Sequence, residues 1–435
     1  MKLNGTSSAA RVRGLQGRWH GLRGDLCGHF FRREFSRAAW RQRVARFAPL
    51  GKVVRWVDPV LTLAVFVWLF VAAPNGRAAG VPPIQTVFVI VLENNNWSAI
   101  KGSASAPYLN GVLLPQASHC EQYYNPPGVH PSEPNYLWLE AGTNFGIFNN
   151  NDPASNHLAT TNHLTSLLTR AGLSWKSYQE DISGLYVPLT ATNRYAAKHN
   201  PMVFFDDVTG TNNPADPFGL AHIRPYSELA TDLANNTVPR YAFITPNLCN
   251  DGHDNCPPGY DRIRQGDDWL AAEIPKITNS TAYKNHGAIF IVWDEGLGSD
   301  GPIGLIVLSP LARGGGYFNN LAYTHSSFVR TMQDVFGVNQ SYLNDAANAR
   351  DLFDLFREFR LAPPVRAAAN QIQLTVTGGV IPGKTNWVQV SADARAWTTI
   401  ATNALPLNTP VNGFQITEII PAGVVNRFYR VLQLP

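Results

Sequence analysis

Residues 128–136, with the sequence GVHPSEPNY, hold a hydroxyl group in a stiff turn. Ser132 lies between Pro131 and Pro134, and Asn135 follows three residues after the serine. Pro134 suits the first turn of a helix, where its missing N–H group costs nothing, and the N-terminus of that helix favours anions such as phosphate. A serine placed in this way can attack a phosphoryl group, and the Asn135 amide can donate a hydrogen bond to a phosphoryl oxygen.

Acidic and amide side chains follow two apolar runs that are typical of buried strands. Glu93 and Asn94 come directly after the first run, and Asp294 and Glu295 come directly after the second. Carboxylates that are buried side by side repel each other and are costly to desolvate. Because carboxylate and amide oxygens are natural ligands of calcium, magnesium or manganese, we expect one divalent metal ion beside the serine. A solvated loop after each strand is the alternative.

Histidines could complete this chemistry: His199 and His253 lie in polar, tightly turned segments, and weaker candidates are His119, His130, His222 and His325. The motif KHNP brings Lys198 and His199 together, the loop CNDGHDNC contains His253 and Asp254, and His325 lies at the start of a predicted helix. Histidine can protonate a departing alkoxide or bind phosphate, so His199 and His253 are candidate catalytic residues. Lys198, Asp254 and His325 are candidate substrate-binding residues. A surface or core position is the alternative for each histidine.

The cysteines indicate an oxidising compartment. Cys249 and Cys256 can close a small loop, and we expect a disulfide between them. A zinc site is the competing interpretation, although a lone pair of cysteines at this spacing is weak evidence for one. Cys120 would then be unpaired and buried.

The elements that position these residues alternate between strands and helices. Apolar, β-branched runs predict strands at 86–92, 241–246, 288–293 and 303–309, and helical patterns predict helices at 134–142, 163–172, 267–277 and 326–336. This alternation indicates an α/β/α layered domain with a mostly parallel central sheet. Ligands of such folds bind beyond the carboxyl ends of the strands, where the acid pairs lie. The polar segment 181–225 is expected to cross the active face.

The character of the chain changes near residue 370. Four segments then alternate apolar and polar residues, with Gly, Pro and Asn between them, which predicts a small C-terminal antiparallel β-sandwich. We therefore expect a large α/β domain at 81–360, a linker at 361–370 and a β module at 371–435.

The N-terminal segment predicts export. The chain has a net charge of +4, but residues 1–57 contain 13 Lys and Arg and only 2 acids, and the apolar run 60–73 follows. A basic segment, an apolar run and small residues are typical of a signal peptide, with cleavage expected near Ala73–Ala79. We expect residues 1–80 to be a basic extension and signal peptide, and the protein to be secreted or periplasmic. The apolar run is shorter than a membrane span, so we expect no stable membrane span after cleavage. Nucleic-acid binding by the basic arm is the disfavoured alternative.

Across about residues 84–340, the motifs occur in the order of a known family. The chain resembles the bacterial phosphoesterase family, of secreted acid phosphatases, phosphatidylinositol-3-phosphatase-type enzymes and phospholipases C, within the alkaline phosphatase-like superfamily. The motifs that carry the resemblance are VFVIVLENNNW, HPSEPNY, KHNP, PNLCNDGHDNCPP, IFIVWDEG and THSSFVRTMQDVFGV.

The resemblance implies roles for individual residues. It implies that Ser132 is the nucleophile and Asn135 binds phosphate. It also implies that a metal ion is bound by the two strand-end pairs, Glu93–Asn94 and Asp294–Glu295, with the serine oxygen completing the ligand shell. Some family members have Asp-Asp at the second pair. Glu295 keeps the negative charge, but its side chain is one methylene group longer than the aspartate of those members. His199 and His253 match histidines that line the family's site.

These features favour a secreted, metal-dependent phosphomonoesterase that acts on a small-molecule or lipid phosphate ester through a phosphoserine intermediate. A phospholipase C-type phosphodiesterase is the first alternative, and a non-catalytic secreted binding protein is an alternative of another class. A sulfatase is disfavoured, because Tyr136 occupies the place of the arginine in the sulfatase motif. Substrate identity and oligomeric state stay open at this point.

Overall fold

A computed structural model describes residues 81–298, 300–357, 360–377, 385–404, 413–421 and 427–433. The predicted signal and basic segment, residues 1–80, lies outside the described residues, and so does the predicted cleavage region.

The centre of the protein is an eight-stranded sheet with the strand order β5-β4-β6-β1-β7-β8-β2-β9. Five neighbouring strands, from β5 to β7, are parallel, β8 is antiparallel to both of its neighbours, and β9 runs parallel to β2. The strands are β1 (Thr86–Leu92), β2 (Ser118–Cys120), β3 (Tyr123–Tyr124), β4 (Trp175–Gln179), β5 (Ile223–Pro225), β6 (Tyr241–Thr245), β7 (Gly287–Trp293), β8 (Leu305–Leu308), β9 (Tyr317–Asn319) and β10 (Tyr323–Thr324). β3 and β10 form a separate parallel pair.

Helices cover both faces of this sheet. On one face, Tyr136 contacts Phe243 of β6, and Phe328 contacts Phe290 of β7. Leu270 and Trp293 line a small gap on the other face. The α-helices are α1 (Trp97–Ile100), α2 (Leu114–Gln116), α3 (Ser132–Ala141), α4 (Pro153–Asn156), α5 (Leu164–Arg170), α6 (Asp206–Thr209), α7 (Pro217–His222), α8 (Ser227–Asn235), α9 (Arg262–Thr278), α10 (Thr281–Lys284) and α11 (His325–Phe336).

Short turns of other helix types complete the domain. A π-helical turn spans Leu109–Leu113, and 3₁₀ turns span Ala197–His199, Pro201–Phe204, Asn344–Ala347 and Phe353–Leu355. Among the residues that the structure describes, no helix combines the length and the apolar character needed to cross a lipid bilayer.

The predicted fold class, a layered α/β domain with a mostly parallel sheet, is confirmed. One strand differs from the prediction in direction: residues 303–309 were expected in the parallel set, whereas β8 runs antiparallel to β7. The connection from β7 to β8 is short and contains no crossover helix, and a short connection returns the chain in the opposite direction.

The C-terminal part forms two small antiparallel sheets, as the alternating pattern predicts. Their strands are β11 (Arg360–Leu361), β12 (Val365–Ala368), β13 (Gln371–Thr377), β14 (Thr385–Ser391), β15 (Thr398–Ala404), β16 (Gly413–Ile419) and β17 (Phe428–Gln433). Leu374 and Val376 of one sheet and Val388 of the other are buried in one apolar cluster, so the sheets pack as a sandwich. The predicted linker at 361–370 is wrong in part, because β11 and β12 lie there and pair with β13.

A buried ionic cluster fixes the far end of α3. The imidazole of His163 lies 2.9 Å from Glu140 of α3 and 2.9 Å from Asp207 of α6. Burial alone would lower the pKa of His163, but the hydrogen bonds to Asp207 and Glu140 outweigh it and raise that pKa. The folded protein therefore binds a proton here that the unfolded chain releases at lower pH.

We expect His163→Gln to lower the free energy of unfolding by about 3 kcal/mol at pH 6, because it leaves buried carboxylates without their cation. The pKa of His163 is raised on folding, so its stabilisation is complete below about pH 6.5 and is lost as the pH rises through the folded-state pKa. Urea unfolding at pH 6 and pH 9 should show a smaller penalty at pH 9. The more exposed His157→Gln is the control, and an equal penalty at both pH values would contradict the assignment.

Candidate active site

Adjacent parallel strands bring the two acid pairs to the same edge of the sheet. Leu92 of β1 and Trp293 of β7 are partners in the register, so Glu93 and Asp294 leave the sheet side by side. The backbone N–H of Asn94 donates to Asp294 Oδ1 at 3.0 Å, and the Asn94 side chain donates to Glu93 Oε2 at 2.9 Å. Glu93 and Asp294 are fully buried. The expectation that both pairs meet at one edge therefore agrees with the geometry.

The serine turn places its hydroxyl directly on this edge. Ser132 is the first residue of α3, and Pro131 is the N-cap. Ser132 Oγ lies 3.1 Å from Glu93 Oε2 and 3.4 Å from Glu295 Oε1. The proline-stiffened turn and two separate strands thus converge on one hydroxyl group.

Asn135 has partners other than the ones expected from its predicted phosphate contact. Its side-chain nitrogen donates to the carbonyls of Val129 and Pro131 at 2.8 and 3.2 Å, and it lies 3.2 Å from Glu295 Oε2. The amide therefore stabilises the serine turn and orients Glu295, and its contact with phosphate stays a prediction.

His199 lies behind Glu93 and is nearly fully buried. Its Nε2 is 2.8 Å from Glu93 Oε1, its Nδ1 is 3.1 Å from Asp251 Oδ2, and its ring stacks on Tyr136 with 5.0 Å between ring centroids. Burial would raise the pKa of Glu93, but the charge of His199 outweighs it and holds that pKa low. The carboxylates in turn raise the pKa of His199 against the effect of its burial. His199 is therefore placed to orient Glu93, whereas the prediction had it acting directly on substrate.

His253 and Lys198 lie on the more open side of Glu93. Lys198 Nζ is 3.0 Å from His253 Nε2, and Asp254 Oδ1 is 2.7 Å from His253 Nδ1. Asp254 therefore contacts the imidazole and orients it. Cys249 and Cys256 form a disulfide that closes this loop, and Cys120 is a free, buried cysteine.

His325 does not lie where its predicted substrate contact requires it. The residue is fully buried, its Nε2 lies 2.6 Å from the backbone carbonyl of Asp294, and its Nδ1 lies 3.0 Å from the hydroxyl of Tyr123. Burial lowers the pKa of His325 to about 4. A neutral imidazole with both nitrogens bonded supports the Asp294 backbone, so His325 is a positioning residue.

The carboxylate side of the site fits a metal ion. Asp294 Oδ2 is buried and has no hydrogen-bond partner among the residues that the structure describes. Burial and the nearby charges of Glu93 and Glu295 raise the pKa of Asp294 well above its usual range. A divalent cation bound by these carboxylates, with Asn94 and Ser132, would give that oxygen a partner and offset the repulsion.

A second group of ligand-type residues adjoins the first. Glu93, His199 and His253 each offer an atom within 4.8 Å of the others, which is the spacing of a metal site. The ammonium group of Lys198 lies next to His253 in the same place. Because this positive charge repels a cation, the carboxylate side is the better location for one ion.

Sequence reasoning missed two groups that contact the proposed site. Asp251 lies in the same loop as His253 and was not assigned a role, yet its Oδ2 lies 3.1 Å from His199 Nδ1 and its Oδ1 accepts the His253 backbone N–H at 2.7 Å. His130 was a weak candidate, yet it contacts Glu295 Oε2, and its Nε2 lies 2.6 Å from Asp300 Oδ1. The position of His130 two residues before the serine was the available signal for it.

We expect Asp251→Asn to lower kcat/KM by at least about tenfold, because loss of this charge frees His199 and the His253 loop. The pH–rate profile should also change, which a purely structural role would not cause. Asp268→Asn, on an exposed face of α9, is the matched control. Normal kcat/KM and an unchanged pH profile in Asp251→Asn would contradict this positioning role.

A model of the Phosphoesterase family matches residues 112–339. The chain is 29% identical over 313 residues to the phosphatidylinositol-3-phosphatase of Mycobacterium tuberculosis, an alignment that covers 71% of this chain and 96% of that protein. It is 30% identical over 232 residues to an acid phosphatase of Aspergillus fumigatus, covering 51% of this chain and 47% of that protein.

The chain therefore spans about half the length of this fungal relative. Among solved structures, a protein in the alkaline phosphatase superfamily from Vibrio parahaemolyticus superposes with a TM-score of 0.42 and 11% identity, covering 75% of this chain and 85% of that one.

Proposed function

Because the chain belongs to the Phosphoesterase family, whose model matches more than half of it, we propose that it is a phosphomonoesterase with Ser132 as nucleophile. The family membership confirms the resemblance that the motifs indicate and makes the chain a phosphoric ester hydrolase. The observation that carries the finer proposal is the position of Ser132 Oγ, at the N-terminus of α3 and 3.1 Å from Glu93 Oε2.

The first chemical step transfers the phosphoryl group to the serine. The bond between Ser132 Oγ and phosphorus forms while the bond from phosphorus to the ester oxygen breaks. The hydroxyl proton passes to Glu295 Oε1, 3.4 Å from Oγ, because burial raises the pKa of Glu295 whereas His199 holds the pKa of Glu93 low. His253, which is partly exposed beside Lys198, donates the proton that the departing alkoxide needs.

The second step returns the enzyme to its starting state. Water attacks the phosphoserine and gives its proton to His253, the bond between Oγ and phosphorus breaks, and Ser132 Oγ takes back its proton from the carboxylate that accepted it as inorganic phosphate leaves. Glu93, Asn94, Asp294 and Glu295 would hold a divalent cation, and when bound it would supply positive charge that favours ionised serine and polarises a phosphoryl oxygen. The N-terminus of α3 adds its own favourable field for the anion.

A phospholipase C-type diesterase is the second candidate for the same site. Phosphate release from p-nitrophenyl phosphate, compared with p-nitrophenol release from p-nitrophenyl phosphorylcholine, separates the two activities. We expect turnover of the monoester at pH 5–7 and little turnover of the choline diester. Turnover of the diester alone would reverse the order, and turnover of neither would overturn the proposal.

We also propose that the protein is secreted or periplasmic and acts there on a small-molecule or lipid phosphate ester. The basic segment and apolar run at residues 1–80 support export, and the Cys249–Cys256 disulfide is consistent with an oxidising compartment. The non-catalytic alternative is not favoured, because the serine, the carboxylates and His253 converge on one site.

A further inference from the structure

A second opening adjoins the proposed active site and has no role in the chemistry described so far. The active-site opening has a volume of about 510 Å³ and is lined by Asn94, His130, Glu295 and Asp300. A neighbouring cavity, also about 510 Å³, shares Asp300 as a wall. We call it the polar cavity; its other functional side chains are Tyr124, Tyr323, Asp345, Asn348 and Arg350.

A short chain of contacts connects the nucleophile with the polar cavity. Ser132 Oγ is 3.4 Å from Glu295, Glu295 contacts His130, and His130 is 2.6 Å from Asp300. Asp300 also accepts the backbone N–H of Gly128 at 3.1 Å, which fixes the wall between the two openings. The active-site opening and the polar cavity therefore adjoin each other at Asp300.

The cavity contains polar groups with hydrogen-bonding capacity to spare. Arg350 donates no hydrogen bond and forms no ion pair with any residue that the structure describes. Asp345 accepts from Ser326 at 2.7 Å and from Asn348 at 3.3 Å, and each carboxylate oxygen can accept a further bond.

These groups select among the classes of alcohol that a phosphate ester can carry. An alkyl chain would desolvate Arg350 and Asp345 without giving them partners. A second anionic group would face the carboxylates of Asp300 and Asp345, which repel it. A ring polyol offers hydroxyl donors to carboxylates, hydroxyl acceptors to the guanidinium, and a C–H face to the half-buried ring of Tyr124.

We propose that the polar cavity is a leaving-group subsite for a ring polyol, so that the preferred substrates are phosphate monoesters of sugar-like alcohols. This inference rests on the proposed phosphomonoesterase function. Arg350 and Asn348 act as specificity-determining residues that contact the alcohol, while the phosphate lies at Ser132. The volume of the cavity is ample for a single six-membered ring with its hydroxyl groups.

The test compares two six-carbon monoesters, glucose 6-phosphate and n-hexyl phosphate, with p-nitrophenyl phosphate as the general substrate. Phosphate release is measured on the full chain with a divalent ion present. We expect kcat/KM for glucose 6-phosphate to exceed that for hexyl phosphate by at least about tenfold, as one or two hydrogen bonds to charged groups provide. Arg350→Ala and Asn348→Ala should each reduce this ratio severalfold, mainly through KM.

Arg264→Ala, on an exposed pair with Asp268, is the matched control and should keep the ratio of the unmodified protein. Equal kcat/KM for the two six-carbon esters would overturn the inference, and so would a ratio that neither cavity variant changes, provided that p-nitrophenyl phosphate is still hydrolysed. Failure to hydrolyse all three esters would instead overturn the proposed function, and this inference with it.

Discussion

Ser132→Ala is expected to lower kcat/KM for p-nitrophenyl phosphate by at least about 1,000-fold, because the substitution removes the only atom proposed to form a bond with phosphorus. The structure supports a large effect, since Ser132 Oγ lies within 3.4 Å of both Glu93 and Glu295 and the helix N-terminus begins at the same residue. Alanine fits this helical position, so the loss should not come from unfolding. The measurement is phosphate release under single-turnover and steady-state conditions.

A covalent readout separates a nucleophile from a residue that only supports the site. Acid quenching during turnover should trap a phosphoryl group on the peptide that contains residue 132, and mass spectrometry should find it in the unmodified protein but not in Ser132→Ala. Ser155→Ala, at an exposed position in α4, is the matched control and should keep both turnover and the trapped phosphoserine. Unchanged turnover in Ser132→Ala would exclude Ser132 as the nucleophile.

The first strand and the helix after the serine were predictable to within two residues. The first strand was expected at 86–92 and spans Thr86–Leu92, and the helix after the serine was expected at 134–142 and spans Ser132–Ala141. The strand is a fully buried apolar run, whereas the helix also buries polar residues such as Glu133 and Glu140 and was predictable from Pro134, which suits a first helical turn. The direction of β8 was not predictable in this way, because an apolar run carries no information about which neighbour it pairs with or in which sense.

In the candidate site, the sequence predicted which acidic residues lie together but not how each histidine is placed. The strand-end rule placed Glu93 and Asp294 together, because parallel neighbouring strands end at one edge. The same rule could not distinguish His199, which is buried between two carboxylates, from His253, which is partly exposed. That difference arises from the long segment that carries Lys198 and His199, whose course over the site depends on tertiary packing.

Arg350 illustrates what no local pattern could reveal. It lies in an ordinary polar stretch after α11, without a motif or a strand end to mark it. Its interest comes only from the cavity it shares with Asp300, a residue 50 positions earlier in the chain. The proposed leaving-group subsite thus depends on contacts between distant segments. The residues on the phosphate side come directly after strands of the sheet, so their position could be predicted.

Removal of divalent ions is expected to lower activity by at least about 1,000-fold, and addition of calcium, magnesium or manganese should restore it. The physical reason is the group of buried carboxylates, in which Asp294 Oδ2 has no partner among the described residues and the charges of Glu93 and Glu295 add to the effect of burial. Dialysis against EDTA followed by titration with each ion gives the activity measurement. Full activity in the metal-free protein would exclude a cation from the mechanism.

Thermal unfolding supplies a readout that does not depend on catalysis. Ions that bind only the folded state raise Tm with concentration, and Asp294→Asn should abolish this shift, while the surface variant Asp268→Asn should keep it. Because burial raises the pKa of Asp294, protons compete with the ion for this carboxylate, so binding releases protons and the Tm shift should grow from pH 5 to pH 7. A shift that is the same at both pH values, or that survives Asp294→Asn, would place the ion elsewhere than at the carboxylates beside Ser132.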